Sequence, residues 1–298
     1  MTELVVLSGK GGTGKTSVTA GLVHLAAAGS PPLQLTAVDA DVDAANLALL
    51  LDPETEAETE FISGKVAHLD PDLCSGHRNC LQACRFDAVI DRGAGAAPLI
   101  DELACEGCAA CVYACPEGAI AMQPELTGYL RQSRTAWGPL YHAALLPGGE
   151  NSGKLVMAVR QMAREAAGQA GSELIVTDGP PGIGCPVVSA ITGADAALIV
   201  TEPGLAGAHD LERIVQTVQH FGLPVTICLN KADLLPDGVA EVERFAHGAG
   251  ISIAGVIPWD EEVLESVVAR RPVTTRPDSP AARALADLWA RLRDDFLP

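Results

Sequence analysis

A chain of 298 residues has room for one large domain or two ordinary ones, and 48% apolar against 19% charged residues argues against intrinsic disorder. Thirty-eight acidic and 20 basic residues leave a formal charge of −18, which argues against a general nucleic-acid binder and against docking on an anionic membrane. No run reaches the roughly 18 apolar residues that span a bilayer, and the start Met1-Thr2-Glu3-Leu4 lacks the basic segment of a signal peptide, so a cytoplasmic chain without membrane insertion is expected.

The first element is a buried strand over 3–8, from the apolar run Leu4-Val5-Val6-Leu7. Gly9-Lys10-Gly11-Gly12-Thr13-Gly14-Lys15-Thr16 follows, and then a helical pattern with Val18, Leu22, Val23 and Leu25 apolar. Strand, G-x4-G-K-T and helix in this order define a phosphate-binding P-loop, because glycines let backbone N–H groups crowd around phosphate oxygens at a helix N-terminus. Gly11, Gly12, Thr13 and Gly14 form the cradle, Lys15 neutralises the β/γ-phosphates, and the Thr16 hydroxyl ligates Mg²⁺. The rival is a glycine turn that matches by chance, and the flanking strand and helix speak against it.

The run Lys10-Gly11-Gly12-Thr13-Gly14-Lys15-Thr16 carries a second lysine and resembles the deviant P-loop of the MinD/ParA/Mrp/nitrogenase-iron-protein superfamily. The resemblance implies an ATP-sandwich dimer in which Lys10 of each subunit reaches the nucleotide held by the other. The bland alternative for Lys10 is a solvated loop lysine. A second strand over 33–38 leads into Asp39-Ala40-Asp41-Val42-Asp43, and carboxylates at the carboxyl end of a parallel strand face the ligand crevice. By resemblance Asp41 positions or activates the attacking water and Asp39 lies near the Mg²⁺ shell. The alternative is that these acids cap a helix from Ala44, the preferred reading for Asp43.

Seven of the nine cysteines fall between Cys74 and Cys115, which in a reducing compartment points to metal rather than disulfides. Cys105-x2-Cys108-x2-Cys111-x3-Cys115-Pro116 is the bacterial ferredoxin run. Zinc is the rival, but its C-x2-C pairs are usually separated by a longer loop. The earlier run Cys74-x5-Cys80-x3-Cys84, shifted by 31 positions, falls on Cys105, Cys111 and Cys115, and Ala88 falls on Ala119. This is an internal repeat, and it puts His77 where Cys108 stands and Arg85 where Pro116 stands. In two-cluster ferredoxins the fourth cysteine of each run ligates the other run's cluster. One four-iron cluster then uses Cys105, Cys108, Cys111 and Cys84, and the other uses Cys74, Cys80, Cys115 and a fourth position. His77 there is an iron ligand, or leaves a three-iron cluster, or is a bystander beside a degenerate site.

Further on, Leu174-Ile175-Val176-Thr177-Asp178 and Gly179-Pro180-Pro181-Gly182 resemble the superfamily's Walker B strand and switch II, which makes Asp178 a Mg²⁺ holder. Strands over 197–201, 225–229 and 251–257 alternate with helical segments, as in a parallel sheet covered on both faces. Asn230 matches the family's adenine-reading asparagine. Asn230-Lys231-Ala232-Asp233 also resembles a guanine-reading motif, against which the deviant P-loop argues for ATP. Cys228 reads as core packing; Cys185 reads as packing of a small residue or, less favoured, as a ligand of a cluster shared across a dimer. The helix over 281–296 balances three arginines against three aspartates around an apolar face, so it reads as docked on the core rather than on a membrane.

The expected fold is α/β: a doubly wound, mostly parallel P-loop sheet over 1–64 and 123–298, with an inserted ferredoxin-like α+β domain over 65–122. Along its whole length the chain resembles the MinD-superfamily P-loop ATPases with an inserted ferredoxin domain, and 141–156 resembles that family's return into the ATPase. The resemblance implies an ATP-hydrolysing dimer, with itself or with a paralogue, that gates electron transfer to a redox partner or metallocluster protein. Assembly or delivery of clusters is the alternative, although no C-x2-C pair follows Cys115 to hold a transferable cluster. A positioning ATPase without redox chemistry is a further one. An amidating enzyme of the cobyrinate class has no use for the insertion.

Overall fold

The computed structural model describes residues 1–93, 95–149 and 152–296. Glu150 and Asn151, in the stretch expected to lead back from the insertion, lie outside the described residues. The chain forms two compact units, Met1–Thr59 with Leu130–Ala144 and Ser152–Pro298, and Glu60–Tyr129 with Leu145–Asn151.

The first unit opens with β1 (Thr2–Ser8), whose Leu4, Val5, Val6 and Leu7 are all buried, followed by α1 (Lys15–Ala28), β2 (Leu35–Asp39) and the short α2 (Leu47–Leu51). β3 (Glu54–Leu69) leads into the second unit, which holds α3 (Asn79–Ala83), β4 (Val89–Ile90), β5 (Leu99–Ile100) and α4 (Ala110–Ala114); β6 (Ile120–Thr135) leads out of it. Then come β7 (Gly138–Leu145), α5 (Ser152–Ala170), β8 (Leu174–Pro181), α6 (Cys185–Ile191), β9 (Ala196–Thr201) and α7 (Leu205–His220). β10 (Val225–Asn230), α8 (Pro236–Ala249), β11 (Ile253–Ile257), α9 (Glu261–Val268), a 3-10 turn at Val273–Thr275 and α10 (Pro280–Phe296) complete the chain.

The strand order is β11-β10-β9-β1-β8-β2-β7-β6-β3. Neighbours from β11 to β7 run parallel, so the loops after β1, β2, β8, β9 and β10 leave the sheet at one edge. Burial on both faces explains the unbroken apolar runs Leu174-Ile175-Val176 and Leu198-Ile199-Val200. The fold is thus an α/β P-loop architecture on a mostly parallel central sheet. Helix α10 lays Leu285, Leu288, Trp289 and Leu292 into the core with Val18 and Leu22 of α1, so its apolar face is spent inside the protein. Asp260 anchors it, accepting from Ser279 Oγ (2.5 Å) and the Ala281 amide (3.0 Å). No helix among the described residues is long and apolar enough to cross a membrane.

Two features depart from the sequence reading. Strands β3 and β6 are 16 residues long, yet the Glu54–Glu60 stretch has no apolar alternation. It is an exposed edge segment whose acids are met by arginines, Glu58 by Arg131 (2.6 Å) and Glu54 by Arg134 (3.0 Å). Asp43 is not a helix cap either. The helix starts at Leu47, not Ala44, and its first amide is held by Asp39 Oδ2 at 2.9 Å.

Candidate functional site

The first unit gathers its titratable groups at the carboxyl edge of the sheet. Register pairs Asp39 of β2 with Asp178 of β8, and β1 ends beside them and turns into the glycine loop. Gly12 and Gly14 have φ of 81° and 90°, a region open to glycine and strained for other residues. A Cβ on Gly14 would strike the Asn230 amide, whereas one on Gly11 or Gly12 would project into open space. That space is a cavity of about 580 Å³ lined by Gly11, Thr13, Lys15, Thr16, Asp41 and Pro181, among others. The Thr13 hydroxyl there is buried and, among the described residues, is the one buried side-chain polar atom without a hydrogen-bond partner.

Lys15, the first residue of α1, is buried and reaches Asp178 Oδ1 at 2.9 Å and Asp41 Oδ2 at 3.5 Å. Burial opposes its charge, but Asp178, Asp41 and Asp39 outweigh that and raise its pKa. Thr16 Oγ1 donates to Asp178 Oδ2 at 2.7 Å. Asp39 is fully buried; its oxygens accept from the amides of Asp41 (3.2 Å) and Leu47 (2.9 Å). Burial, then the neighbouring Asp178 charge, pushes its carboxyl well up. Asp41 is raised too, by burial, with Lys15 opposing.

The loop is also tied from the other side. Asn230 Nδ2 donates to the Thr13 carbonyl (2.7 Å), and Lys231 Nζ to the Gly12 carbonyl (2.7 Å). Glu202, in the loop after β9, bridges Lys10 (2.6 Å) and Lys231 (3.1 Å). Burial works to raise its pKa, but the two lysines prevail and hold it below the ordinary carboxylate value. A smaller cavity of about 220 Å³ adjoins the loop at Gly12, Gly14 and Ser17, with Asn230, Pro258 and Trp259 in its lining. Asp233 Oδ1 accepts from the Trp259 amide at 2.6 Å, which fixes that turn. Lys10, Lys15, Thr16, Asp39, Asp41, Asp178 and Asn230, all expected from the sequence, converge here with the Gly11–Gly14 cradle. Glu202, Trp259 and Thr19, whose hydroxyl lies 3.0 Å from Asp178 Oδ1, were not expected. Only a position four residues past Lys15 marked Thr19 out.

In the second unit the 31-residue repeat is visible in the backbone. α3 and α4 are five residues each and 31 apart, and each follows a left-handed residue, Arg78 and Ala109, both at φ 61°. The halves bond each other reciprocally: the Asp70 amide donates to the Ala119 carbonyl, and the Asp101 amide to the Ala88 carbonyl, both at 2.8 Å. Two clefts result. One is lined by Cys74, His77, Cys80 and Cys115, the other by Cys84, Cys105, Cys108 and Cys111. The Cys105 and Cys115 sulfurs accept from the amides of Ala67 (3.4 Å) and Ala119 (3.3 Å). His77 Nδ1 lies 3.5 Å from Glu117 Oε1, and both side chains are part-exposed. Among the described residues no three His, Cys, Asp or Glu side chains converge on a point that one metal ion would occupy. Cys228 is a core residue whose thiol burial pushes up to about 12, and Cys185 is exposed at the start of α6.

Comparison with known proteins places this geometry in a wider group. The family described as the CobQ/CobB/MinD/ParA nucleotide binding domain matches residues 4–273. An uncharacterized protein of Methanocaldococcus jannaschii is 28% identical over 292 residues, covering 98% of this chain and 96% of its own length. The iron-sulfur cluster carrier protein of Pyrococcus horikoshii is 27% identical over 134 residues, 40% of this chain and 45% of that one. Among solved structures, the septum site-determining protein MinD of Pyrococcus horikoshii, complexed with Mg-ADP, superposes with a TM-score of 0.57 at 19% identity, covering 98% of this chain and 96% of that one.

Proposed function

The chain belongs to the CobQ/CobB/MinD/ParA nucleotide-binding family, and from that premise we propose that it binds and hydrolyses Mg-ATP as a dimer and couples its nucleotide state to electron transfer through two iron–sulfur clusters. The observation that carries the nucleotide half is the buried, unpartnered Thr13 hydroxyl in the glycine loop, a polar atom left for a ligand to satisfy. The open space over Gly11 and Gly12 suits a phosphate. Thr16 and Asp178 offer hard oxygen donors 2.7 Å apart, which fits Mg²⁺.

In this reading Lys15 moves from Asp178 to the phosphates, Thr16 and Asp178 hold Mg²⁺, and Asp41 orients the attacking water. Asp39, both oxygens bound to amides, acts by fixing the Asp41 turn. Asn230 and the cavity beside Trp259 take the adenine. Lys10 serves the nucleotide of a second subunit.

The cluster half is supported by the donor set of the clefts, three cysteines with His77 in one and four cysteines in the other. Thiolates suit iron–sulfur clusters, which are joined at separate irons and ask for a wider ligand set than a single ion. When bound, such clusters supply one-electron chemistry. In this reading 65–122, which lies within the second unit of Glu60–Tyr129 with Leu145–Asn151, is the ferredoxin-like insertion. The test is purification without oxygen, iron and sulfide counting, and EPR with and without Mg-ATP. Seven or eight irons per chain, about the content of two clusters, and a spectrum that changes with Mg-ATP are expected. Absence of iron, or zinc in its place, overturns the redox reading.

A second reading, cluster delivery, is favoured by the likeness to the iron-sulfur cluster carrier protein. It predicts ATP-dependent loss of iron from this chain to an apo-ferredoxin, where the electron-transfer reading predicts retained iron and a reduced acceptor.

A further inference from the structure

Asp178 is fully buried, and three side chains hold its carboxylate. Oδ1 takes Lys15 Nζ at 2.9 Å and Thr19 Oγ1 at 3.0 Å, and Oδ2 takes Thr16 Oγ1 at 2.7 Å. Two of these partners are the groups that a Mg-nucleotide recruits from any P-loop, the lysine for phosphate and the hydroxyl for the cation. With a Mg-nucleotide in the site, Lys15 would serve the phosphates instead of Oδ1, and Thr16 with Oδ2 would hold the cation. A buried anionic oxygen left without a donor is unfavourable and free to rotate away.

Thr19 is the partner that stays. It sits one turn along α1, fully buried, and does not line the large cavity. Its one hydroxyl proton has two acceptors, the Lys15 carbonyl and Asp178 Oδ1, each at 3.0 Å. While the Lys15 ammonium neutralises Oδ1, either acceptor serves. Once the ammonium leaves, the charged oxygen is the stronger acceptor.

We propose that Thr19 is a positioning residue that pins Asp178 Oδ1 when Lys15 and Thr16 turn to the nucleotide, so that Oδ2 stays aimed at Mg²⁺. The inference rests on the Mg-ATP reading and concerns the metal step alone.

The experiment titrates the full chain with the fluorescent analogue mant-ATP, in EDTA and then against rising MgCl₂. Thr19→Val keeps the shape, Thr19→Ser keeps the hydroxyl, and Thr19→Ala loses both. The valine and alanine variants are expected to need about tenfold more Mg²⁺ for half-maximal tightening, the size of one lost charge-assisted hydrogen bond. Serine should stay within about twofold of wild type, and affinity in EDTA should be unchanged throughout. The opposite order, with valine normal and serine as impaired as alanine, means packing and overturns the proposal. So does equal weakening with and without Mg²⁺. Should the valine chain not fold, serine against alanine decides: an equal effect of the two overturns the proposal. Wild type that binds mant-ATP without any Mg²⁺ effect also overturns it. Wild type that binds no mant-ATP overturns the nucleotide reading itself.

Discussion

At the scale of single residues, the nucleotide cavity holds an ion pair that stabilises the protein only while it is complete. Lys15 and Asp178 are both buried, and each would otherwise be a charge in a low-dielectric setting. Removing one partner of such a pair costs about 3–5 kcal/mol, because the other is left uncompensated. Lys15→Ala should thus abolish mant-ATP binding and also lower the denaturant midpoint of the nucleotide-free chain. Normal binding by this variant would remove Lys15 from the site. Asp41 is less committed, reaching Lys15 only at 3.5 Å. Asp41→Ala should keep nucleotide binding and lose phosphate release by about a hundredfold or more, the scale of a positioned proton-transfer or water-orienting group; hydrolysis at the wild-type rate would strip Asp41 of that role. The P-loop lysines and glycines were legible in the sequence because their motif is contiguous. Glu202 and Trp259 were not, since what matters about them is which loop end reaches the P-loop, and that is set by strand order. Asp39 was legible as a site residue, but its amide bonds were not, because they depend on where α2 begins.

Among elements, the hairpin of β6 and β7 and the adjoining β3 went unread for a related reason. β7 buries Leu140, Tyr141 and Ala143, but the side-chain contacts that join the three strands to one another include polar ones that no apolar alternation announces. Ser133 of β6 bonds His142 of β7 at 2.9 Å, and its hydroxyl also reaches Thr55 of β3 at 3.4 Å. Burial, then the nearby Arg131 charge, lowers the His142 pKa from 6.5 to about 4. A histidine depressed in the folded state binds its proton more readily when unfolded. Its contribution is therefore complete above pH 6.5 and is lost as pH falls towards 4, on the order of 2–3 kcal/mol. His142→Gln should flatten the dependence of the melting temperature on pH in that window; an unchanged slope would place the proton uptake elsewhere. The 31-residue repeat was the opposite case, since cysteine spacing alone announced it; the helices α3 and α4 were not read, yet the backbone follows the shift down to the left-handed residue before each. Where the halves differ is His77 against Cys108. An imidazole in place of a thiolate removes negative charge and raises a cluster's potential. His77→Cys should lower one midpoint potential and leave the other, and His77→Ala should lose iron from one cluster only. No change in iron count, EPR signal or potential in either variant would make His77 a bystander.

For the molecule as a whole, the question is how one chain's nucleotide state could reach another chain. Lys10 is the residue proposed to cross between subunits, yet within one chain it is already paired with Glu202 at 2.6 Å. Both side chains are part-exposed, and such surface pairs are worth about 0–1 kcal/mol. A triphosphate offers several charged oxygens within a closed interface, where the same lysine gains more than it loses by leaving Glu202. The net charge of −18 works against association in the absence of nucleotide, because two copies repel until a lysine–phosphate contact joins them. Dimerisation should accordingly be weak without ligand, tighten with a non-hydrolysable ATP analogue and Mg²⁺, and tighten further as salt screens the repulsion. Lys10→Ala should keep mant-ATP affinity within about twofold in the monomer, since its neighbours in the loop remain, while losing most of the nucleotide-driven shift in sedimentation. A shift of wild-type size in the alanine variant would take Lys10 out of the interface. A wild-type chain that stays monomeric in both nucleotide states, alone and mixed with a paralogue, would remove the dimer and leave ATP acting within a single subunit.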